Sequence, residues 1–368
     1  MSEQATAPDD AAARELLVDL VDTASVTGDE TACAERLKAF FESHGRKVWL
    51  DEVGNVRAPA DDGVLLTSHI DTVPGDIPVR VEETDPDDAP YGGAVTCEGD
   101  TEDVLWGRGS VDAKGPLASM AVAAVRTGAS FVGVVGEEVD SRGALHLVAE
   151  RDSAPDAVIN GEPSGWDGIT LGYRGLLAGT YVATSESGHS SRPENNAIQD
   201  AMDWWSRVED EFAEDDWSPV FERVTCKPTR IEGGTSEDGL SVETTLAVQL
   251  RVPPEYTVDE VRELADGHLD RGTVHWDDRV EPVMQSPRTA AARACRVAIR
   301  GAGGDPTLLR KTGTSDMNVF AQSWDCPMAT YGPGDSDLDH APDERLSLSE
   351  YDRAVAVLEA VATDLMGD

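Results

Sequence analysis

The sequence predicts an α/β protein built on a mostly parallel sheet, with an α+β unit inserted into it. Three observations carry this. Short apolar runs alternate with amphipathic stretches of helical period through the first part of the chain. The apolar runs end in His, Asp or Glu, and open parallel sheets gather ligands beyond the carboxyl ends of their strands. After Gly172-Tyr173-Arg174-Gly175 the pattern changes to a few strands and two helices, then an Ala-rich helical pattern returns at Pro287. A length of 368 residues also exceeds one ordinary core. The expected domains are therefore 1–175 with 286–368, and an inserted 176–285.

Residues 11–23 read as an amphipathic helix, with Leu16, Leu17, Leu20 and Val21 on one face. Residues 31–44 read as a second, with Leu37, Phe40 and Phe41 inward and Gly45 as its stop. Residues 48–56 suggest strand, turn and strand about Gly54-Asn55. Val64, Leu65 and Leu66 form a buried strand that runs into Thr67-Ser68-His69-Ile70-Asp71. Residues 79–103 are acidic and Pro/Gly-rich, hence surface with some strand. The Gly-punctuated turn at 106–110 leads through Asp112 into a helix that ends near 127. Residues 131–135 and 157–160 are further strands, with a helix over 143–150 between them. In the insertion, strands are expected over 176–185, 240–252 and 273–280, and helices over 196–212 and 257–269. Helices follow over 287–301 and 349–365, separated by a turn-rich Tyr331-Gly332-Pro333-Gly334.

Lys and Arg number 30 against 71 Asp and Glu, a net charge of −41. Such a field repels nucleic acid and anionic membrane surfaces. The acids are spread along the chain, which fits a halophilic surface kept soluble where salt screens self-repulsion. Five cysteines stand apart with no CxxC pair, which argues against a zinc ribbon or a disulfide framework. With no leader-like segment and no apolar run of spanning length, a cytoplasmic protein is expected.

His69 and Asp71 lie two apart on an extended chain and share a side. A ligating imidazole usually gives its other N–H to a carboxylate, and His-x-Asp supplies both parts. His69, Asp71, Glu137, Glu138 and Glu162 fall at strand ends, Asp112 precedes a helix, and His340 comes late. Histidines and carboxylates without thiols suit zinc, cobalt or manganese. Carboxylates crowded in one cleft require a compensating cation, and this set is large enough for two ions sharing a carboxylate. Adjacent Glu137 and Glu138 point different ways on leaving a strand, so one can ligate while the other handles a proton.

His69-Ile70-Asp71-Thr72-Val73-Pro74, Gly107-Arg108-Gly109-Ser110-Val111-Asp112-Ala113-Lys114-Gly115, Gly136-Glu137-Glu138, Gly161-Glu162-Pro163 and His340 together resemble the M20 metallopeptidase family. The resemblance runs from about residue 10 to the C-terminus and implies hydrolysis of linear amides in a zinc-hydrolase catalytic domain. It implies that Asp112 bridges two divalent ions, most often zinc, with cobalt an alternative. His69 and Glu162 would complete one site, and Glu138 and His340 the other. Asp71 would orient His69, and Glu137 would be the general acid/base. The inserted domain would act as a lid and form a homodimer. Within it, Ser187-Gly188-His189-Ser190-Ser191-Arg192-Pro193 resembles the motif whose histidine stabilises the oxyanion in the partner's site. Arg251 matches the strand arginine that holds the substrate carboxylate. Lys311-Thr312-Gly313-Thr314-Ser315-Asp316 resembles the turn that lines the substrate pocket, so Thr314 and Ser315 are candidate contacts. The upstream Asn-Val-Ile-Pro common in the family is absent, and Gly233-Gly234-Thr235-Ser236 stands there instead.

Asp112-Ala113-Lys114-Gly115-Pro116-Leu117 and the 311–318 turn look most like the branch that releases lysine or ornithine from the terminal glutamate of a small acidic carrier protein of the LysW type. Deacetylases of N-acetyl-lysine or N-acetyl-ornithine, desuccinylases and carboxypeptidases share the scaffold and remain alternatives, as does a non-catalytic dimeric scaffold protein. Arg142, Arg174, Arg192, Arg310 and Lys311 are candidates for a basic patch facing the acidic carrier.

Overall fold

The computed structural model describes residues 7–85, 101–189, 191, 193–213 and 217–367. Cys97, Ser190, Arg192, the acids at 86–88 and 214–216, and most of the expected irregular surface at 79–103 lie outside the described residues. The chain divides into two compact units. The first comprises Met1–Leu171, Gln285–Leu309 and Val319–Asp368; the second comprises Gly172–Met284 and Arg310–Asn318. Residues 310–318 thus group with the second unit, whereas the sequence placed them in the first. Hydrogen bonds hold them there: Arg174 Nε donates to the Thr312 carbonyl at 3.0 Å, and Arg310 pairs with Glu222 at 2.9 Å.

Among the described residues the main sheet has nine strands: seven run in the order Trp49–Leu50, Val56–Ala58, Ala129–Val134, Asp61–His69, Val158–Gly161, Met328–Gly332, Gly165–Tyr173, and Val283–Met284 and Thr307–Lys311 pair with the last. The four central strands, from Ala129–Val134 to Met328–Gly332, run parallel, and their outer neighbours pair antiparallel. The strands Ala129–Val134, Val158–Gly161 and Met328–Gly332 are buried along their whole length, as inner strands of a parallel sheet must be. Helices Lys114–Thr127 and Leu348–Met366 pack on each other and on the Asp61–His69 strand. Lys114–Thr127 is rich in alanine and buries Leu117, Met120, Val122 and four alanines. Asp10–Val21 starts at Asp9, whose carboxylate accepts the Ala12 N–H at 2.9 Å and so satisfies one free end donor. Thr31–Ser43 buries Leu37 and Phe41 while Phe40 is only half-buried.

Met328–Gly332 and Gly165–Tyr173 are among the strands of this sheet that the sequence pattern does not predict. Met328–Gly332 is a five-residue apolar run, too short for period to distinguish strand from loop. Gly165–Tyr173 carries three glycines, which weaken strand propensity, and it forms because both its faces are covered. A small antiparallel sheet of Arg80–Thr84, Glu102–Trp106 and Arg345–Ser347 places the C-terminal segment beside the loop that follows Trp106.

The second unit is an antiparallel sheet in the order Thr225–Thr235, Ser241–Val252, Gly175–Glu186, Thr273–Val280, covered by helices Ala197–Glu211 and Val258–Gly267. Both helices open on capping boxes, Asn196 with Gln199 and Thr257 with Glu260. Their inner faces bury Trp204, Trp205, Val208 and Val261 against Leu177, Tyr181, Leu246 and Leu250. The Trp204 ring stacks on Tyr181 with centroids 5.0 Å apart. No helix among the described residues is long and apolar enough to cross a membrane.

Candidate metal centre

Sheet register builds the site. His69 is level with Val134 on one side, and Ser68 with Gly161 on the other. Three strand ends therefore open at one edge and release His69, Glu137-Glu138 and Glu162 side by side. Asp112 arrives from the loop between Glu102–Trp106 and Lys114–Thr127, and the Asp112–Ala113 peptide is cis. Gly109 makes the loop turn possible: its φ is +81°, and a β-carbon there would lie 2.7 Å from Thr72 Cγ2. His340 follows the short helical turn Ser336–Leu338 at φ +59°, a left-handed conformation that costs a side-chain-bearing residue on the order of 1 kcal/mol.

Asp112 lies between two imidazoles. Its Oδ1 is 3.0 Å from His69 Nε2, and its Oδ2 is 3.1 Å from His340 Nε2. His69 Nε2 is also 3.8 Å from Glu162 Oε2, and His340 Nε2 is 3.0 Å from Glu138 Oε2. Five of the residues singled out in the sequence thus converge as two groups that share Asp112. One ligand atom each from His69, Asp112 and Glu138 can be chosen so that all lie within 4.8 Å.

The electrostatics describe a site short of positive charge. Burial opposes a charge on His69, but its bonds to Asp112 and Glu162 prevail and hold its pKa well above the usual histidine value. Its bond to Asp112 raises His340 to about 9. Burial works against the Asp112 carboxylate, yet hydrogen bonds from His340 and His69 keep its pKa well below the usual range. Burial, then the Asp112 charge, pushes Glu138 up to about 7. Glu138 Oε1 is buried and has no hydrogen-bond partner. An orphaned carboxylate oxygen beside two imidazoles and two more carboxylates is a set of donors that fits a divalent cation.

Asp71 behaves differently from the expectation that its carboxylate orients His69. The close partner of His69 Nδ1 is the Asp71 carbonyl, at 2.9 Å, while the carboxylate stands 3.8 Å away. The carboxylate instead accepts the N–H groups of Glu137 and Glu138 at 3.1 and 3.2 Å and the Thr27 hydroxyl at 2.8 Å. The imidazole is still held in one orientation, with Nδ1 against a carbonyl, but by backbone. Thr27 was not singled out, because a threonine far from the motifs has no local signal.

The remaining candidates belong to the second unit. His189 is exposed, with Nδ1 2.8 Å from Ser191 Oγ. Arg251 Nη1 lies 3.5 Å from Thr314 Oγ1, and burial lowers the Arg251 pKa. Ser315 is buried, and its hydroxyl accepts the Met317 N–H at 3.3 Å. Of the residues suggested for a basic patch, Arg174 is no surface charge. It is 5% exposed, and its Nη1 is committed to the carbonyls of Val220 and Arg223 and to Thr225 Oγ1. Arg142 is ion-paired with Glu30, and Arg310 with Glu222.

Known proteins share this arrangement of chain. Residues 65–364 match the model of Peptidase family M20/M25/M40. The chain is 41% identical over 382 residues to a [LysW]-lysine hydrolase of Deinococcus radiodurans, covering 98% of this chain and 99% of that protein. It is 37% identical over 358 residues to a putative [LysW]-lysine/[LysW]-ornithine hydrolase of Thermococcus kodakarensis, covering 96% and 92%. Among solved structures it resembles an M20 family metallo-carboxypeptidase from Sulfolobus solfataricus, with a TM-score of 0.75, 19% identity and coverage of 96% and 99%. It also resembles a dinuclear metal-binding peptidase of the M20 family from Bacillus subtilis, with a TM-score of 0.65, 14% identity and coverage of 97% and 98%. The two structures share the fold, and the full-length relatives share the sequence as well. On both counts, the chain belongs to the M20/M25/M40 family of peptidases and is a hydrolase of that family.

Proposed function

We propose that the protein is a metal-dependent amide hydrolase that releases lysine or ornithine from the glutamyl terminus of a LysW-type carrier protein in amino-acid biosynthesis. One observation carries the chemistry: Asp112 offers one oxygen to His69 and the other to His340, with Glu162 and Glu138 completing the two groups. The carrier-linked substrate is supported by the near full-length similarity to [LysW]-lysine and [LysW]-ornithine hydrolases.

In this reading His69, Glu162 and Asp112 hold one divalent ion, and His340, Glu138 and Asp112 the other, with zinc the expected metal and cobalt a substitute. When bound, such ions supply Lewis acidity, acidifying water and polarising the amide carbonyl. Glu137 takes the proton of the attacking water and delivers it to the departing amine. Asp71 keeps Glu137 in place through its backbone N–H. Arg251 binds the carboxylate of the amino acid being released, and Thr314 and Ser315 line the same pocket. The inserted unit acts as lid and homodimer surface, and His189 stabilises the oxyanion in the partner's site. A high-salt cytoplasm, suggested by the −41 charge, would screen the repulsion between enzyme and acidic carrier.

The test is release of free lysine and ornithine from carrier-linked and from N-acetylated substrates, with and without chelator. Chelator-sensitive cleavage of the carrier-linked amide is expected. Chelator-sensitive cleavage of the acetylated compounds alone would move the assignment to a deacetylase, and no cleavage of either would overturn it.

A further inference from the structure

Four residues beyond His340, a carboxylate with no exposed surface lies inside the loop that presents Asp112. Glu344 Oε1 accepts the N–H groups of Val111 and Asp112 at 2.8 and 3.0 Å. Its Oε2 accepts the N–H of Gly109 at 3.0 Å and Arg108 Nη1 at 2.8 Å. The Glu344 carbonyl takes the Gly107 N–H at 3.3 Å. One side chain therefore holds three of the backbone donors between 109 and 112, a concave anion nest occupied from within the protein. The pairing of Arg345 with Trp106 brings Glu344 to the start of that loop. On the other side of Asp112, Lys114 is 1% exposed and donates through Nζ to the Thr23 carbonyl at 2.7 Å. The loop is thus fixed at both ends, and the Glu344 end belongs to the segment that carries His340.

We infer that Glu344 is a positioning residue that fixes the Asp112 loop to the His340 segment, so that the two ligand groups sharing Asp112 are set by a single carboxylate. The inference rests on the metal-site reading proposed above. Both oxygens of Glu344 must accept, so an amide in its place turns one acceptor into a donor facing Gly109 N–H or the Val111 and Asp112 N–H pair. The Asp112 carboxylate then loses its fixed placement between the imidazoles, although every ligand is still present.

The experiment compares full-length wild type with Glu344→Gln, Glu344→Asp and Glu102→Gln, measuring Zn²⁺ affinity by competition with a chelating dye and the visible spectrum of the Co²⁺ form. Glu102 serves as control: it is a buried carboxylate of the same small sheet, bonded to Ser347 Oγ and Ser349 N, at the opposite end of the Glu102–Trp106 strand from the one that leads into the Asp112 loop. Glu344→Gln should bind Zn²⁺ about 10–100-fold more weakly, the usual cost of losing a partner behind the ligands, with an altered Co²⁺ spectrum and unchanged far-UV dichroism. Glu344→Asp keeps the charge and should lose less, and Glu102→Gln should bind as wild type does. Wild-type affinity and spectrum in Glu344→Gln, or an equal loss in Glu102→Gln, would overturn the inference. Should Glu344→Gln fail to fold, Glu344→Asp decides: weakened Zn²⁺ binding by a folded protein supports the inference, and wild-type binding overturns it. Absence of Zn²⁺ binding by the wild type itself would remove the metal-site reading, and this inference with it.

Discussion

Asp71 holds Glu138 by its backbone: Oδ2 of the aspartate accepts the N–H of the glutamate at 3.2 Å, while its own carbonyl holds His69 at 2.9 Å. One residue therefore sets a histidine from one strand end and the Glu137-Glu138 turn from the next. In Asp71→Asn one oxygen becomes an amide that cannot accept, so one of the two N–H groups is left unpaired in a buried place. Turnover should fall about 10–100-fold, with weaker metal retention, since Glu137 and Glu138 shift together. Steady-state kinetics with metal analysis of the same preparation checks this. An Asp71→Asn enzyme with full turnover and full metal would contradict the brace.

Glu137→Gln separates proton transfer from metal binding. The amide keeps the size of the side chain and cannot carry a proton, so the rate should fall about 10²–10⁴-fold. Metal content should stay at the wild-type level, because Glu137 is assigned no ligand role. Substantial activity in this variant would refute its place as acid/base.

Arg251→Lys tests recognition of the released amino acid. A lysine keeps the charge but loses the planar fork that grips a carboxylate with two bonds. Loss of one charge-assisted bond, on the order of 2 kcal/mol, should lower kcat/KM about 30-fold, mostly through KM. Progress curves at several concentrations of carrier-linked lysine measure it, and an unchanged KM would remove Arg251 from the pocket.

Glu350 should make the protein less stable as the medium becomes alkaline. It is fully buried, and burial raises its pKa to about 8 although the Gly334 N–H donates to it at 2.8 Å. The folded state thus keeps the proton that the unfolded state gives up near 4.5. Below that value the group costs nothing. Between there and about 8 stability declines as pH rises, by up to about 3 kcal/mol at neutrality, and above 8 the loss levels off. Glu350→Gln should leave the melting temperature unchanged near pH 4 and raise it at pH 8. Equal effects at both pH values would show that Glu350 is not protonated in the native protein.

Much of this was legible in sequence because the informative residues sit where local pattern is strong. Among the described residues, eight of the nine α-helices fall where helical period places them, Asp316–Ser323 being the exception, and His69, Glu137-Glu138 and Glu162 stand just past apolar runs of strand length. What was not legible depends on contacts between distant segments. Nothing near Met328–Gly332 says that it will pair with Val158–Gly161 on one side and Gly165–Tyr173 on the other. A lone Glu344 among 71 acids gives no sign that four donors will converge on it. The Asp71 carboxylate was assigned to His69 because i and i+2 share a side, but Asp71's own carbonyl is closer and leaves the carboxylate to the neighbouring turn.

The place of Met328–Gly332 also bears on how the protein comes into being. Synthesis proceeds from the N-terminus, so the strands on either side of it leave the ribosome well before it does. Until residues 328–332 emerge, Val158–Gly161 lacks one of its two partners and Gly165–Tyr173 stands with an open edge, the kind of surface on which chains aggregate. His340 follows only after that strand, so a nascent chain can collect His69, Asp112, Glu138 and Glu162 but not the fifth donor. On the proposed assignment the two-ion site can form only after His340 has been made, and a truncation before 328 should yield an insoluble polypeptide that lacks it.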